Sequence, residues 1–319
     1  MIVTLTVNPS LDRTITLGAP LQRGEVQRAE RVSVEPGGKG INVARVVHSA
    51  GHPVRAVLPA DANDPILRGL DALDLPYRTV RLGAPVRTNL ALTEADGTTT
   101  KVNESGPELA SETVEALARL LVLESERADW VVLSGSLPPG VPVDWYAQLV
   151  RALRPWGCRI AVDTSDAPLR ALADAFDEVA PDLIKPNAFE LAQLTGADPE
   201  ALEAGAAAGD PSRSVAAAQT LVAAGVRAVL VTLGGAGAVL VTETGAWWGS
   251  PPPITVRSTV GAGDSSVAGY ILAETRGLAE PERLRQAIAH GSAAAALAGT
   301  QLPRPDQLNA GAVQLTALT

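Results

Sequence analysis

Lysine is scarce in this sequence. Of its 26 basic residues 23 are arginine, leaving only Lys39, Lys101 and Lys185. An ammonium is a compact point charge that a guanidinium does not replace, so each surviving lysine marks a place to look for chemistry. Cysteine occurs once, as Cys158, which excludes an internal disulfide and fits a reducing compartment. Histidine occurs three times. His48 and His52 are four apart, but Gly51 ends the helical pattern between them, so they do not read as a zinc pair. No block of basic residues appears, and 35 acids against 26 bases leave a net charge of −9, so a nucleic-acid partner is not expected. No run of about 18 apolar residues appears either, so no membrane partner is expected. The opening Met1-Ile2-Val3-Thr4-Leu5-Thr6-Val7 lacks a basic leader and reads as a strand, which predicts a cytoplasmic location.

What the chain does have is length and apolar content. At 319 residues and 46% hydrophobic it can bury a large core, as one big α/β domain or two smaller ones, and a disordered chain is excluded. Short apolar runs of strand length lie at 2–7, 54–59, 130–134, 159–163, 183–185, 228–233 and 238–242. Helical stretches rich in Ala, Leu, Glu and Arg alternate with them at 112–126, 143–153, 168–175 and 212–224. This alternation predicts a doubly wound, mostly parallel sheet of the α/β class. Segments 13–34 and 86–104 break the rhythm with polar/apolar alternation. They read as a small β-sheet lid inserted into one domain spanning 1–319. Residues 205–210 read as a small-residue loop.

The familiar phosphate loops are missing. Lys39 is followed by Gly40 where a Walker loop needs Ser or Thr, and Gly235-Ala236-Gly237 has Leu240 in place of a third glycine. A P-loop ATPase and a nicotinamide-dependent oxidoreductase are therefore disfavoured. The strongest chemical segment is Ser258-Thr259-Val260-Gly261-Ala262-Gly263-Asp264-Ser265, ahead of a helix over 266–274. Gly261, Ala262 and Gly263 at a helix start would aim free amides at an anion. Asp264 beside them could take a proton from an attacking hydroxyl, or could simply cap the turn. A second segment, Glu35-Pro36-Gly37-Gly38-Lys39-Gly40-Ile41-Asn42, puts Gly37 and Gly38 where a substrate can approach closely, with Lys39 and Asn42 in reach. A flexible turn with an exposed lysine is the alternative. Asp12, in Asn8-Pro9-Ser10-Leu11-Asp12, follows the first strand, where ligands of such sheets sit. In Lys185-Pro186-Asn187-Ala188-Phe189-Glu190, Asn187 and Glu190 could order water around a divalent ion or form an ordinary cap.

Taken together, these motifs resemble the signatures of the ribokinase-like (PfkB) carbohydrate kinase family. Gly37-Gly38-Lys39-Gly40-Ile41-Asn42-Val43-Ala44 and the 258–265 segment carry the resemblance. Asn8 to Asp12, Ser134-Gly135-Ser136-Leu137-Pro138-Pro139-Gly140 and Lys185-Pro186-Asn187 match in the family's order. The resemblance implies a three-layer α/β fold with a β-sheet lid, and a homodimer formed through that lid. It implies ATP and Mg²⁺, the latter near Glu190 through water, and leaves room for a monovalent cation. Asp264 would be the base, and Gly261, Ala262 and Gly263 the anion hole. Asp12, Gly37, Gly38, Asn42 and Ser136 would hold the sugar. Lys39 and Arg87 would neutralise a phosphate already on it. Lys185, Asn187, Thr232, Gly234, Gly235, Gly237 and Gly263 would serve the nucleotide. Within the family the phosphosugar branch fits best. Glu25, Lys39 and the stretch 96–107 favour fructose 1-phosphate as acceptor, with fructose 6-phosphate and tagatose 6-phosphate as alternatives. A non-catalytic sugar- or nucleotide-binding regulator on the same fold is the reading from another class, and the intact Gly-Ala-Gly-Asp argues against it.

Overall fold

The structure is a computed structural model and describes residues 1–318. The chain enters through β1 (Ile2–Thr6), crosses into β2 (Ser10–Leu17) and β3 (Ala29–Gly37), and reaches its first helix, α1 (Lys39–Ser49). It continues through β4 (Val54–Pro59), α2 (Pro65–Asp71) and β5 (Tyr77–Val80), then returns with β6 (Arg87–Thr93) and β7 (Thr99–Asn103). Helices and strands then alternate: α3 (Ser111–Ser125), β8 (Trp130–Ser134), α4 (Trp145–Leu153) and β9 (Arg159–Asp163). Next come α5 (Asp166–Ala173), α6 (Phe176–Val179), β10 (Leu183–Ile184), α7 (Ala188–Thr195), α8 (Pro199–Ala207) and α9 (Ser212–Ala223). The last third holds β11 (Ala228–Thr232), β12 (Ala238–Thr242), β13 (Gly245–Ser250), α10 (Ala262–Thr275), α11 (Glu280–Ala295) and β14 (Gln314–Leu318).

Ten strands form one sheet in the order β14-β13-β12-β11-β10-β9-β8-β1-β4-β5. From β11 to β5 every neighbouring pair is parallel, and β11 to β14 form an antiparallel edge. The central strands β1 and β8 are buried along their whole length, which explains the unbroken apolar run Trp130-Val131-Val132-Leu133 of β8. One layer of helices packs α1 on α10 and α10 on α11; α3, α4, α5, α7 and α9 make a contiguous second layer. Glu274, buried near the end of α10, ties that helix to the far end of the sheet. It accepts from Trp130 Nε1 at 2.7 Å and pairs with Arg159 and Arg283. Among the described residues no helix is long and apolar enough to cross a membrane.

The small sheet has the order β3-β2-β6-β7. It is wider than the lid expected over 13–34 and 86–104, because β2 begins at Ser10 and β3 runs on to Gly37. Asp12 therefore stands on a strand of the small sheet and not in a loop after β1. The loop expected at 205–210 also needs correction. Pro199 at the first helical position and the Asp198 side chain, which accepts from the amides of Glu200 and Ala201, start a helix that runs to Ala207. Alanine carries that helix through Gly205, and only 208–210 remain outside it.

Candidate active site

The parallel strands point their carboxyl ends the same way, and the site collects there. Asp163 ends β9, Lys185 directly follows β10, and the loop from 134 to 140 leaves β8. Gly261 caps the start of α10 at φ 75, a left-handed conformation that favours glycine, and no side chain caps that end. The first amides of α10 are thus available to an anion, with the helix dipole behind them. Gly263 lies in that first turn with the Lys185 ammonium packed against it, and a Cβ added there would meet Lys185 Nζ at 3.1 Å.

Asp264 sits one residue further on and is buried, 6% exposed. The Asn42 side chain, on α1, donates to Asp264 Oδ2 at 2.8 Å. Burial first, and then the like charge of Asp163, push the Asp264 carboxyl up to about 6, against the pull of Lys39, the Asn42 bond and Lys185. Asp163 has a different balance. Burial alone would raise it, but Lys39 and Lys185 outweigh burial and hold it below the usual carboxylate range. Lys39 Nζ donates to Asp163 Oδ1 at 3.0 Å, and Lys185 Nζ lies 3.5 Å from the same oxygen. For Lys39, burial disfavours the charge, but Asp163, Asp264 and Glu190 together push its pKa above the usual lysine range. Two scarce lysines thus share one buried carboxylate beside the candidate base.

The small sheet closes the other side. Asp12 Oδ1 accepts from Ser10 Oγ at 2.8 Å and from Asn89 Nδ2 at 2.9 Å, and Oδ2 stays free of both bonds. Arg87 Nη1 donates to the Glu104 carbonyl at 2.9 Å, and its Nε is buried with no partner. Together these elements enclose a cavity of about 320 Å³. Asp12, Gly38, Lys39, Asn42, Arg87, Lys185, Gly261, Gly263 and Asp264 all line it.

The remaining sequence candidates flank the cavity. Gly37 ends β3 next to Asp12, and Ala262 begins α10. Ser136 is exposed and accepts from Asn8 Nδ2 at 3.2 Å. Asn187 and Thr232 form a parallel bridge that brings the two nucleotide-side candidates together. Gly234, Gly235 and Gly237 make the turn from β11 into β12. Glu190 forms the capping box in full: its Oε2 accepts from the Asn187 amide at 2.9 Å, and Asn187 Oδ1 accepts from the Glu190 amide at 2.8 Å. Sequence reasoning missed Asp163 and Asn89, whereas Lys101, a scarce lysine expected in the lid, lines the cavity with them. For Asp163 a signal existed, since an acid closing an apolar parallel strand stands where ligands bind.

Residues 6–306 match the pfkB family carbohydrate kinase. The chain belongs to the pfkB family. It is therefore a carbohydrate kinase, as the helix-terminal anion site with its adjacent carboxylate suggests. The 1-phosphofructokinase of Rhodobacter capsulatus is 36% identical over 323 residues, covering 100% of this chain and 98% of that protein. The 1-phosphofructokinase of Haloferax volcanii is 35% identical, covering 95% and 93%. Among solved pfkB-like folds, phosphofructokinase-2 from Escherichia coli in complex with potassium has a TM-score of 0.86 at 33% identity. The same enzyme in complex with fructose-6-phosphate has a TM-score of 0.84 at 32% identity, and each structure covers 96% of both chains.

Proposed function

We propose that this kinase transfers the γ-phosphoryl group of ATP to the free terminal hydroxyl of fructose 1-phosphate, giving fructose 1,6-bisphosphate. The observation that carries the transfer chemistry is Asp264, a buried carboxylate pushed up to about 6 within the first, uncapped turn of a helix. Its oxygen would accept the hydroxyl proton as the oxygen attacks phosphorus. The amides of Gly261, Ala262 and Gly263 would hold the charge on the moving phosphoryl group, and Lys39 would add a cation beside it. Asp12, Gly38 and Asn42 would bind sugar hydroxyls, with Gly37 and Ser136 shaping that side. Arg87 would meet the phosphate already present. Lys185, Asn187, Thr232, Gly234, Gly235 and Gly237 would receive the nucleotide.

Mg²⁺ would neutralise the nucleotide phosphates. Among the described residues no group of three or more His, Cys, Asp or Glu is placed to hold a metal ion. The carboxylate of Glu190 is half spent on its cap and leaves Oε1 for a water-mediated contact, so these residues fit an ion carried in with ATP. The monovalent cation rests on the Escherichia coli relative alone, and higher activity in potassium than in sodium would support it.

The curated relatives favour fructose 1-phosphate. A second reading, fructose 6-phosphate, is favoured by the solved complex of the Escherichia coli enzyme with that sugar. Specificity constants for fructose 1-phosphate, fructose 6-phosphate, tagatose 6-phosphate and unphosphorylated fructose test both. The proposal expects fructose 1-phosphate to lead, and a lead by any other sugar would overturn it.

The homodimer is proposed on one feature of the small sheet. Register places Ile15 between Val32 and Leu92, and Leu90 between Arg13 and Val102, on one face. Val32, Val34 and Val102 on that face are exposed. An apolar sheet face open to water suits burial against a second copy.

A further inference from the structure

A second cavity, of about 620 Å³, adjoins the active site and has the size of a small-molecule pocket. None of its lining residues takes part in the chemistry above, yet it shares three walls with the active-site cavity. At the junction of β3 and α1, Glu35 and Pro36 line the second cavity while Gly38 and Lys39 line the first. Along α1, Asn42 lines the first, and Arg45, His48 and Ser49, one and two turns on, line the second. In the segment after α11, Thr300 lines the first, and Gln301, Leu302 and Pro303 line the second. Leu302 also packs against the cap of α10, since a Cβ added to Gly261 would meet its Cδ2 at 2.6 Å.

The lining states what the second cavity can hold. Leu73, Leu75, Leu297, Leu302 and Pro303 give it an apolar wall. Its charged side chains are two guanidiniums, Arg45 and Arg304, against one carboxylate, Glu35, so cations are in excess there although the protein carries −9 overall. Arg45 Nη2 donates to Glu35 Oε2 at 2.7 Å, and Nη1 donates to the Pro36 carbonyl at 3.2 Å. These bonds tie the end of β3 to α1 at the point where the chain passes from the small sheet into the large domain. Arg45 therefore already selects a carboxylate, and the Glu35 that supplies it is partly open to the cavity. Arg304 is held only by Asp306 at 3.4 Å, a pair of exposed side chains that costs little to break.

We propose that this second cavity is an inhibitory effector site for a carboxylic acid with an apolar body. The carboxylate takes Arg45 from Glu35, with Arg304 as its second cation, and the body lies along the leucine wall. Released from Arg45, the end of β3 no longer fixes Gly37 and Gly38 against α1, and sugar binding weakens. A ligand shifts an equilibrium only by binding two states unequally, and the Arg45–Glu35 tie, made or broken, supplies the two states. The inference goes beyond the transfer reaction and is independent of which phosphosugar leads.

The test uses phenylbutanoate as the probe, with phenylbutanol and acetate supplying body and head separately. Phenylbutanoate should raise KM for the phosphosugar to a plateau about 5- to 150-fold above its starting value, with kcat nearly constant. Saturating phosphosugar should weaken phenylbutanoate binding by the same factor in calorimetry, as linkage requires. Leu73→Glu, a change at a 39% exposed wall position, and Arg304→Gln should each abolish the response and leave the uninhibited kinetics unchanged. Glu35→Gln, which gives up the competing charge, should bind phenylbutanoate more tightly. No binding of phenylbutanoate, an equal effect from acetate or phenylbutanol, or a response that survives Leu73→Glu would overturn the inference. So would a KM that rises without limit, which marks occupation of the sugar site itself, and so would unchanged binding in Glu35→Gln. Each of these leaves the proposed transfer reaction standing. A protein inactive toward every sugar would overturn that reaction instead, and the calorimetry of wild type and variants would still decide the effector site.

Discussion

Asp264 has to be basic enough to take a proton and still be buried, and its surroundings meet both demands. Burial and Asp163 raise its proton affinity, while Asn42, Lys39 and Lys185 keep the charged form accessible near neutral pH. With a pKa of about 6, kcat/KM should fall as pH drops below about 6, because the base becomes protonated; a pH–rate profile checks this. Asp264→Asn should lower kcat on the order of 10²–10⁴-fold with much smaller changes in KM, read in a coupled assay. Stability should move the other way. Between about pH 4 and 6 the native carboxyl keeps a proton that the unfolded chain has lost, so stability falls as pH rises through that window. The penalty is on the order of 3 kcal/mol and is complete above pH 6. Asp264→Asn escapes it, so the variant should melt higher than wild type at pH 7 and lose that advantage at pH 4. A variant that melts lower at pH 7 would mean the carboxylate is a structural anchor.

At the scale of elements, the helix termini carry the chemistry and also show what the sequence could disclose. The start of α10 was legible because Gly-Ala-Gly-Asp has a mechanical meaning at a helix start. The start of α7 was equally legible, yet both readings of Asn187 and Glu190 were open, and the structure forms the capping box in full. Asn187→Ala should therefore cost about 1 kcal/mol in thermal or denaturant unfolding, whatever it does to ATP binding. Strands β4, β8, β9 and β12 lie where the apolar runs put them, since strands covered on both faces leave an unbroken signal. Helix α8 was hidden by Gly205 and by the small residues around it. Asp163 was hidden differently: its role depends on Lys39 and Lys185, which lie 124 and 22 residues away in sequence and meet only in the fold. The polar face of the small sheet was legible as alternation, but which face turned inward depended on strand register.

At the scale of the whole molecule, the two faces of the small sheet divide the work. The polar face closes the cavity, and the apolar face offers a contact for a second copy. Val34→Glu, at a half-exposed position on the apolar face, should shift the protein from dimer to monomer in analytical ultracentrifugation while leaving its melting temperature nearly unchanged. A wild type that sediments as a monomer at all concentrations would remove the dimer. The order of strands in the large sheet has a further consequence, for how the chain reaches this state. β1 comes first in the sequence but lies in the interior of the sheet, between β4 and β8. Ile2 pairs with Val54 on one side and with Trp130 on the other. During synthesis this wholly buried strand must wait for its second neighbour until the residues of β8 have emerged, with one edge unpaired in the meantime. Slow elongation or high temperature over that interval should favour aggregation over folding, so yield of active enzyme should rise when expression is cooled or a strand-shielding chaperone is supplied.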